Sequence, residues 1–155
     1  MPALIPWRSN MGGWTIGSTN MCGPAWQPMD LEQLWLPAPN RGKDRVIPGA
    51  SGAVAKPRRA DSRTVAMRFW LTGAVDQTGS AHSDPVEGFV ENVDTISALV
   101  TPPTLPTVTR TSTLTMPDAS TRTAQILVES FEYERESGTL ARAVLTITIP
   151  AGAHT

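Results

Sequence analysis

Residues 63–71 read RTVAMRFWL, and this run decides the fold class. Val65, Met67, Phe69 and Leu71 fall on one side of an extended chain, and Thr64, Ala66, Arg68 and Trp70 on the other. A period of two carried by β-branched and aromatic residues predicts a strand with one buried face. Trp70 sits on the second face, which points to a cover over that face as well, such as a partner. The strand ends in GAVDQTG (residues 73–79), a polar turn.

On its N-terminal side the strand is fed by NRGKDRVIPGASGAVAKPRRADS (residues 40–62). Asp44–Pro48 reads as a short strand, and Pro48-Gly49-Ala50-Ser51-Gly52 as a turn. Two glycines three apart are not a phosphate loop, because no Lys-Ser/Thr pair and no helix-forming run follow them. The basic cluster Lys56, Arg58, Arg59 and Arg63 could meet phosphates. Base stacking would also need exposed aromatics, and only Trp70 is close in sequence. Ion pairs between subunits, or plain solubility, fit the cluster better, and no specific nucleic-acid binding is expected.

On the other side, Asp84–Val100 is the one clear helix. Asp84 can cap it, Pro85 suits the first helical position, and Glu87 completes an aspartate version of the capping box. Val86, Phe89, Val90, Val93, Ile96 and Val100 recur at three- and four-residue steps and predict the buried stripe. Glu91 and Asp94 fall on the opposite face, and Thr101-Pro102-Pro103 stops the helix. A meander follows: a threonine-rich strand over 108–116, a turn at Pro117–Ser120, and an antiparallel return from Thr121. The apolar set of the return changes phase between Val128 and Phe131, as a β-bulge would cause. After a polar turn at 134–138, Leu140–Ile149 alternates with Ala141, Ala143, Leu145, Ile147 and Ile149 inward. Pro150-Ala151-Gly152 is expected to end the ordered part.

The remaining N-terminal region is harder to place. Residues 1–29 read as an irregular arm punctuated by Pro and Gly, with Trp7, Trp14 and Trp26 between. It could be a loose end, or an arm lying on its own domain or on a neighbour. Leu31–Leu36 (LEQLWL) is a strand or a single helical turn, ended by Pro37 and Pro39. The expected organisation is thus an arm over 1–29, one β-rich domain over 30–152 and a tail over 153–155. The fold class is mainly β: an antiparallel sandwich or barrel-like domain with one flanking helix near 84–101.

Composition narrows function further. The chain has 155 residues and a formal net charge of −1, so overall charge makes no case for nucleic acid or an anionic membrane. Apolar runs are far too short to span a bilayer. The opening MPALIPWRSN lacks the layout of a signal peptide, and a single cysteine, Cys22, precludes an intrachain disulfide. Synthesis in a reducing cytosol is the expectation. Eight of the 13 basic residues lie between Arg41 and Arg68, and nine of the 14 acidic ones from Asp84 onward. Two solvated faces would explain this, and so would complementary surfaces on neighbouring copies.

Catalysis and cofactors find no support. Two histidines, His82 and His154, have no paired ligand spacing for a metal. His82-Ser83-Asp84 are adjacent, which does not make a triad. Cys22 reads as a structural thiol without a nucleophile signature. Glu129, Glu132, Glu134 and Glu136 could hold a carboxylate pair for sugar hydrolysis, but a solvated strand face explains them more simply. No cofactor, no metal and no enzymatic activity are expected.

The order and spacing of several short motifs carry a resemblance. Arg41, Gly42, Asp44, Arg45, Pro48 and Gly49 match an RG-D-R-x-x-PG segment. Gly52 follows, then Arg58, Arg59 and Asp61 as R-R-x-D, then the turn Gly73, Asp76, Gly79 and a helix with internal Asn92. A T-L-x-x-PD-x-S-T-R hairpin spans Thr113–Arg122, and the last strand runs into IPAG at Ile149–Gly152. Over roughly Leu31–Gly152 the chain resembles minor tail proteins of siphophages infecting actinobacteria, in particular short, single-domain relatives of the phage distal tail protein. The resemblance implies a fold related to tail-tube proteins. It also implies a virion protein, made in the host cytoplasm, that forms a homo-oligomeric ring, typically a hexamer, at the tail tip. Such a ring joins the tail tube to the hub and fibres, encloses the tape-measure protein and later lets DNA pass. The residues assigned to a subunit interface on this reading are Arg41, Lys43, Arg45, Pro48, Gly49, Gly52, Lys56, Arg58, Arg59 and Trp70. The alternatives are a tail-tube or tail-terminator protein of the same fold, or a small β-sandwich carbohydrate-binding module whose support is the five tryptophans.

Overall fold

The computed structural model describes residues 13–41, 45–46, 49, 53–54, 59–103 and 107–155. The strand read first spans Arg63–Thr72. Val65, Met67, Phe69 and Leu71 are buried, and Thr64, Ala66, Arg68 and Trp70 are exposed, as the alternation predicts. This strand is β8 in chain order. It follows β1 (Gly13–Ile16), β2 (Thr19–Asn20), β3 (Trp26–Pro28) and four two-residue strands, β4 (Asn40–Arg41), β5 (Arg45–Val46), β6 (Ala53–Val54) and β7 (Arg59–Ala60). Helix α1 (Pro85–Ser97) comes next, then β9 (Arg110–Thr115), β10 (Thr121–Arg135) and β11 (Leu140–Ile149).

Seven strands form one antiparallel array in the order β2-β1-β9-β10-β11-β8-β3. The long β10 belongs to both halves. Thr121–Ile126 pair with β9, and Leu127–Arg135 pair with β11. The register shifts between Val128 and Ser130, so Glu129 is the extra residue. This is the bulge that the phase change predicts; a bulge bends its strand and lets it pass from one sheet to the other. The result is mainly β and sandwich-like, with one flanking helix. One half sends Trp14, Ile16, Leu114 and Ile126 into the core, and the other sends Val65, Met67, Phe69, Leu71, Val128, Leu145 and Ile147. Each fully buried side chain of this size contributes about 1.5–3 kcal/mol by transfer from water. All five inward residues expected of β11 are buried.

Helix α1 has the expected Asp84 cap and Pro85 start, while the cap bond goes to Val86 and not to Glu87 as a capping box would have it. The Asp84 carboxylate accepts from the Val86 backbone N–H at 2.9 Å, with Pro85 at the first turn. Its buried face differs from the expected stripe. Phe89 and Ile96 are buried, but Val86 and Val90 are about half exposed, and Gly88 and Asn92 take inward positions instead. The reason is a backbone-to-backbone contact at the end of β8. A Cβ on Gly73 would overlap the Pro85 carbonyl, and one on Gly88 would overlap the Gly73 carbonyl and the His82 ring. Beside this contact, Asn92 Nδ2 donates to the Thr72 carbonyl at 2.7 Å and the Val75 carbonyl at 3.0 Å. Those carbonyls end a strand and would otherwise lack partners in a buried place.

Three other expectations are corrected or resolved. Residues 13–28 are not irregular: β1, β2 and β3 lie at the two ends of the array. Trp14 is fully buried and donates from Nε1 to Ser112 Oγ at 2.8 Å. Gln77 clips the same region from the 73–79 turn. Its Oε1 accepts from the Ala25 and Trp26 N–H groups, and its Nε2 donates to the Asn20 and Trp26 carbonyls. The chain does not lose order at Gly152 either. His154 is buried, and Thr155 exchanges backbone hydrogen bonds with Thr123. Leu31–Trp35 is a 3-10 helix that buries Leu31 and Leu34.

Candidate interaction surface

The first candidate region is the 40–60 segment. Asn40 pairs with Ala60, Arg41 with Arg59, Arg45 with Val54 and Val46 with Ala53. The two described pairs are antiparallel and nested, an arrangement we call the 40–60 hairpin, and Gly49 lies between the inner strands at a φ of +82°. Only glycine takes that backbone without strain. Of the sequence-assigned interface residues, Arg41, Arg45 and Arg59 lie on its strands and Gly49 in its turn. Lys43, Pro48, Gly52, Lys56 and Arg58 lie outside the described residues. The expected Asp44–Pro48 strand is described only at Arg45–Val46.

The root of the hairpin is held tightly. Asp61 N–H donates to the Pro39 carbonyl at 2.7 Å. The Arg63 guanidinium donates to the Leu36 carbonyl at 2.9 Å and also to that of Pro37. Gly152 packs against the Asp61 carbonyl and Ala38, so closely that a Cβ there would overlap both.

The second region is the outer face of β8, β11 and β10, where Trp70 lies. Cross-strand register builds it in rows. Gln27, Trp70, Arg142 and Glu134 stand side by side, and Arg68, Val144 and Glu132 form the next row. Directly opposed residues share a face and touch. The Arg142 guanidinium stacks 5.1 Å from the Trp70 ring centroid, and its Nε donates to Glu136 at 2.9 Å. Trp70 and Met29 remain 39% and 42% exposed at the edge of a shallow depression of about 630 Å³. Two arginines, two glutamates and an indole on one open face suit a mixed polar and aromatic contact.

Trp70 differs from the other described tryptophans. Trp14 and Trp26 are buried and Trp35 is half-buried. The tryptophan count therefore carries little weight for a sugar-binding platform. Sequence reasoning missed a further exposed apolar group on the opposite side of the sheet, formed by Val86, Val90 and Tyr133. Tyr133 meets the edge of Phe89 at 5.7 Å, and Arg135 stacks on Phe89 at 4.5 Å. The missed signal was the inward Gly88 and Asn92, which turn the valines outward.

The residues weighed for chemistry are occupied elsewhere. Asp84 caps α1, and His82 Nδ1 lies 3.5 Å from Glu91 rather than against a serine. Glu136 pairs with Arg142, while Glu129, Glu132 and Glu134 are exposed. Burial pushes the Cys22 thiol up to about 11, against a lowering hydrogen bond from the Trp14 backbone. That is opposite to what a nucleophile needs. Among the described residues no group of three or more His, Cys, Asp or Glu side chains could hold a metal ion, and no helix is long and apolar enough to cross a membrane.

No protein-family model matches the chain, and no curated protein matches it. Among solved structures, the chain is similar to the Dit protein of phage SPP1, described as a paradigm of the hub adsorption apparatus in phages infecting Gram-positive hosts. The TM-score is 0.52 at 12% sequence identity over 90% of this chain. The chain spans about half the length of that protein. The likeness is one of fold.

Proposed function

We propose that this chain is a structural protein of a phage tail, a virion component that assembles with itself as a ring at the distal end, most simply a hexamer. Fold likeness to the SPP1 Dit protein over nearly the whole chain carries this reading. The ring would join the tail tube to the hub and fibres and surround the tape-measure protein. The sequence resemblance over Leu31–Gly152 supports the same assignment, and it favours the distal position over a tube or terminator role.

A ring closed by head-to-tail contacts uses two different patches on each copy. The basic 40–60 hairpin supplies one, and the outer face bearing Trp70, Glu132 and Glu134 supplies the other. Opposite charge on the two patches would set register and speed encounter more than it would add affinity. Arg58→Glu with Arg59→Glu should therefore weaken assembly, and more strongly at low salt. The check is ring formation by size-exclusion chromatography and electron-microscopy class averages. Undiminished rings from the double variant would remove the hairpin from the interface. A protein that stays monomeric at every concentration, with no ring in the virion, would overturn the assignment itself.

A further inference from the structure

The C-terminal segment Pro150–Thr155 ends in a buried polar relay that the tail reading does not use. Trp14 Nε1 donates to Ser112 Oγ at 2.8 Å, and Ser112 Oγ lies 2.7 Å from His154 Nε2. All three residues are buried. Because the indole can only donate, the serine oxygen is its acceptor; that oxygen keeps a second lone pair, so its bond with Nε2 can run in either direction according to the imidazole tautomer. In either tautomer the neutral ring makes this bond through Nε2, while Nδ1 is buried without a hydrogen-bond partner. On either side of this contact the segment is tied to the body. Thr155 and Thr123 exchange backbone hydrogen bonds at 2.9 and 3.0 Å. Gly152, at a φ of +81°, packs on the Asp61 carbonyl and Ala38 at the hairpin root.

We propose that His154 is a proton-operated latch: neutral, it ties Pro150–Thr155, and through Gly152 the root of the 40–60 hairpin, to the sandwich, and on taking up a proton it releases both. A protonated imidazole carries hydrogen on both nitrogens. Nε2–H can still go to the second lone pair of the serine oxygen, but Nδ1–H would need an acceptor too, and Nδ1 is buried without a hydrogen-bond partner. The charge would also be held in a desolvated place. Among the described residues the charged group acting on the imidazole is Arg63 of β8; β1, β9 and the 3-10 helix offer it Trp14, Ser112 and Leu34, none of which ionises in this range. Burial lowers the affinity of His154 for a proton, the Leu34 backbone partly opposes this, and the Arg63 charge adds to the lowering.

The sign follows directly. The released segment binds a proton at the ordinary histidine value, and the docked one only at a lower pH. Docking is therefore complete above about pH 6.5 and weakens as pH falls through the window beneath it. The loss can reach tenfold per pH unit and no more, since one proton is involved.

The test is amide hydrogen exchange on the full chain at pH 7.5, 6 and 5, corrected for the intrinsic pH dependence of exchange. The amides to follow are those of Thr155, Thr123 and Asp61. Their protection should fall with acid in the wild type and stay level in His154→Gln, which cannot take a proton. An equal fall in His154→Gln, or level protection in the wild type, would overturn the latch. An NMR titration of the wild-type His154 ring needs no variant: a midpoint at or above the ordinary histidine value sinks the proposal, and one below it supports it. None of these readouts requires a ring or a phage partner.

Discussion

At the scale of single residues, the helix is seated by what is missing. Gly73 and Gly88 let α1 approach the end of β8 until backbone touches backbone. Asn92 then answers two carbonyls that the contact buries. A buried acceptor without a partner costs about 1–3 kcal/mol, so Asn92 holds a position that a larger apolar side chain could not fill at equal stability. Gly88→Ala is the sharper test. On an exposed helix the change would stabilise by about 1 kcal/mol, because alanine is the better helix former. Here the new methyl meets the Gly73 carbonyl and the His82 ring, and the carbonyl cannot step aside without moving β8. The steric term should win, for a net loss of about 2 kcal/mol or more in urea denaturation. A variant that gains stability would show that the helix is not docked through this pair.

At the scale of elements, β10 is the strand that makes two sheets from one array. Its register skips Glu129, and its partners change from β9 to β11 beside that point. Glu129 is exposed, so Glu129→Ala should change stability by no more than about 0.5 kcal/mol. Deleting Glu129 is a different perturbation. Val128 and Phe131 would keep their inward positions, but the bend would go, and the two halves would no longer meet over one core. Thermal unfolding should show a loss well above about 2 kcal/mol, or no cooperative transition at all. A deletion no worse than the alanine change would mean that the bulge does not shape the fold. This feature was legible in the sequence because alternation fails visibly when a residue is added. So were β8 and β11, where one face is apolar throughout, and the Asp84-Pro85 start of α1. The inward face of α1 was not legible, since apolar periodicity is blind to a glycine contact and to an amide that caps carbonyls. The N-terminal strands escaped for a related reason. They are two to four residues long and punctuated by Gly and Pro, and they are held by Trp14 and by Gln77 some fifty residues away. Of the candidate surface, the hairpin's turn and basic charge could be read locally. The rows around Trp70 could not, because they exist only once β8, β11 and β10 are in register.

At the scale of the whole molecule, the question is whether a surface serves the fold or an assembly, and Trp70 separates the two. It stands on the outer face of β8, away from the core, and the Arg142 guanidinium stacks on it there. Such a stacking contact at an exposed site stabilises by about 0.5–1 kcal/mol. Arg142 would keep its ion pair with Glu136 if the indole were removed. Trp70→Ala should thus lower stability by no more than about 1 kcal/mol. The consequence for assembly is of another size, because aromatic side chains at the centre of an interface commonly cost 2 kcal/mol or more when truncated. That corresponds to about thirtyfold or more in the constant for each contact, repeated at every junction of the proposed ring. If the chain forms the proposed ring, the expected outcome is a variant that melts within a few degrees of the wild type yet elutes as a monomer where the wild type elutes as a ring. Rings of full size from Trp70→Ala would place the subunit contact elsewhere, with the Val86, Val90 and Tyr133 group next to be altered. A variant that loses both its rings and its fold would show instead that Trp70 supports the sheet itself.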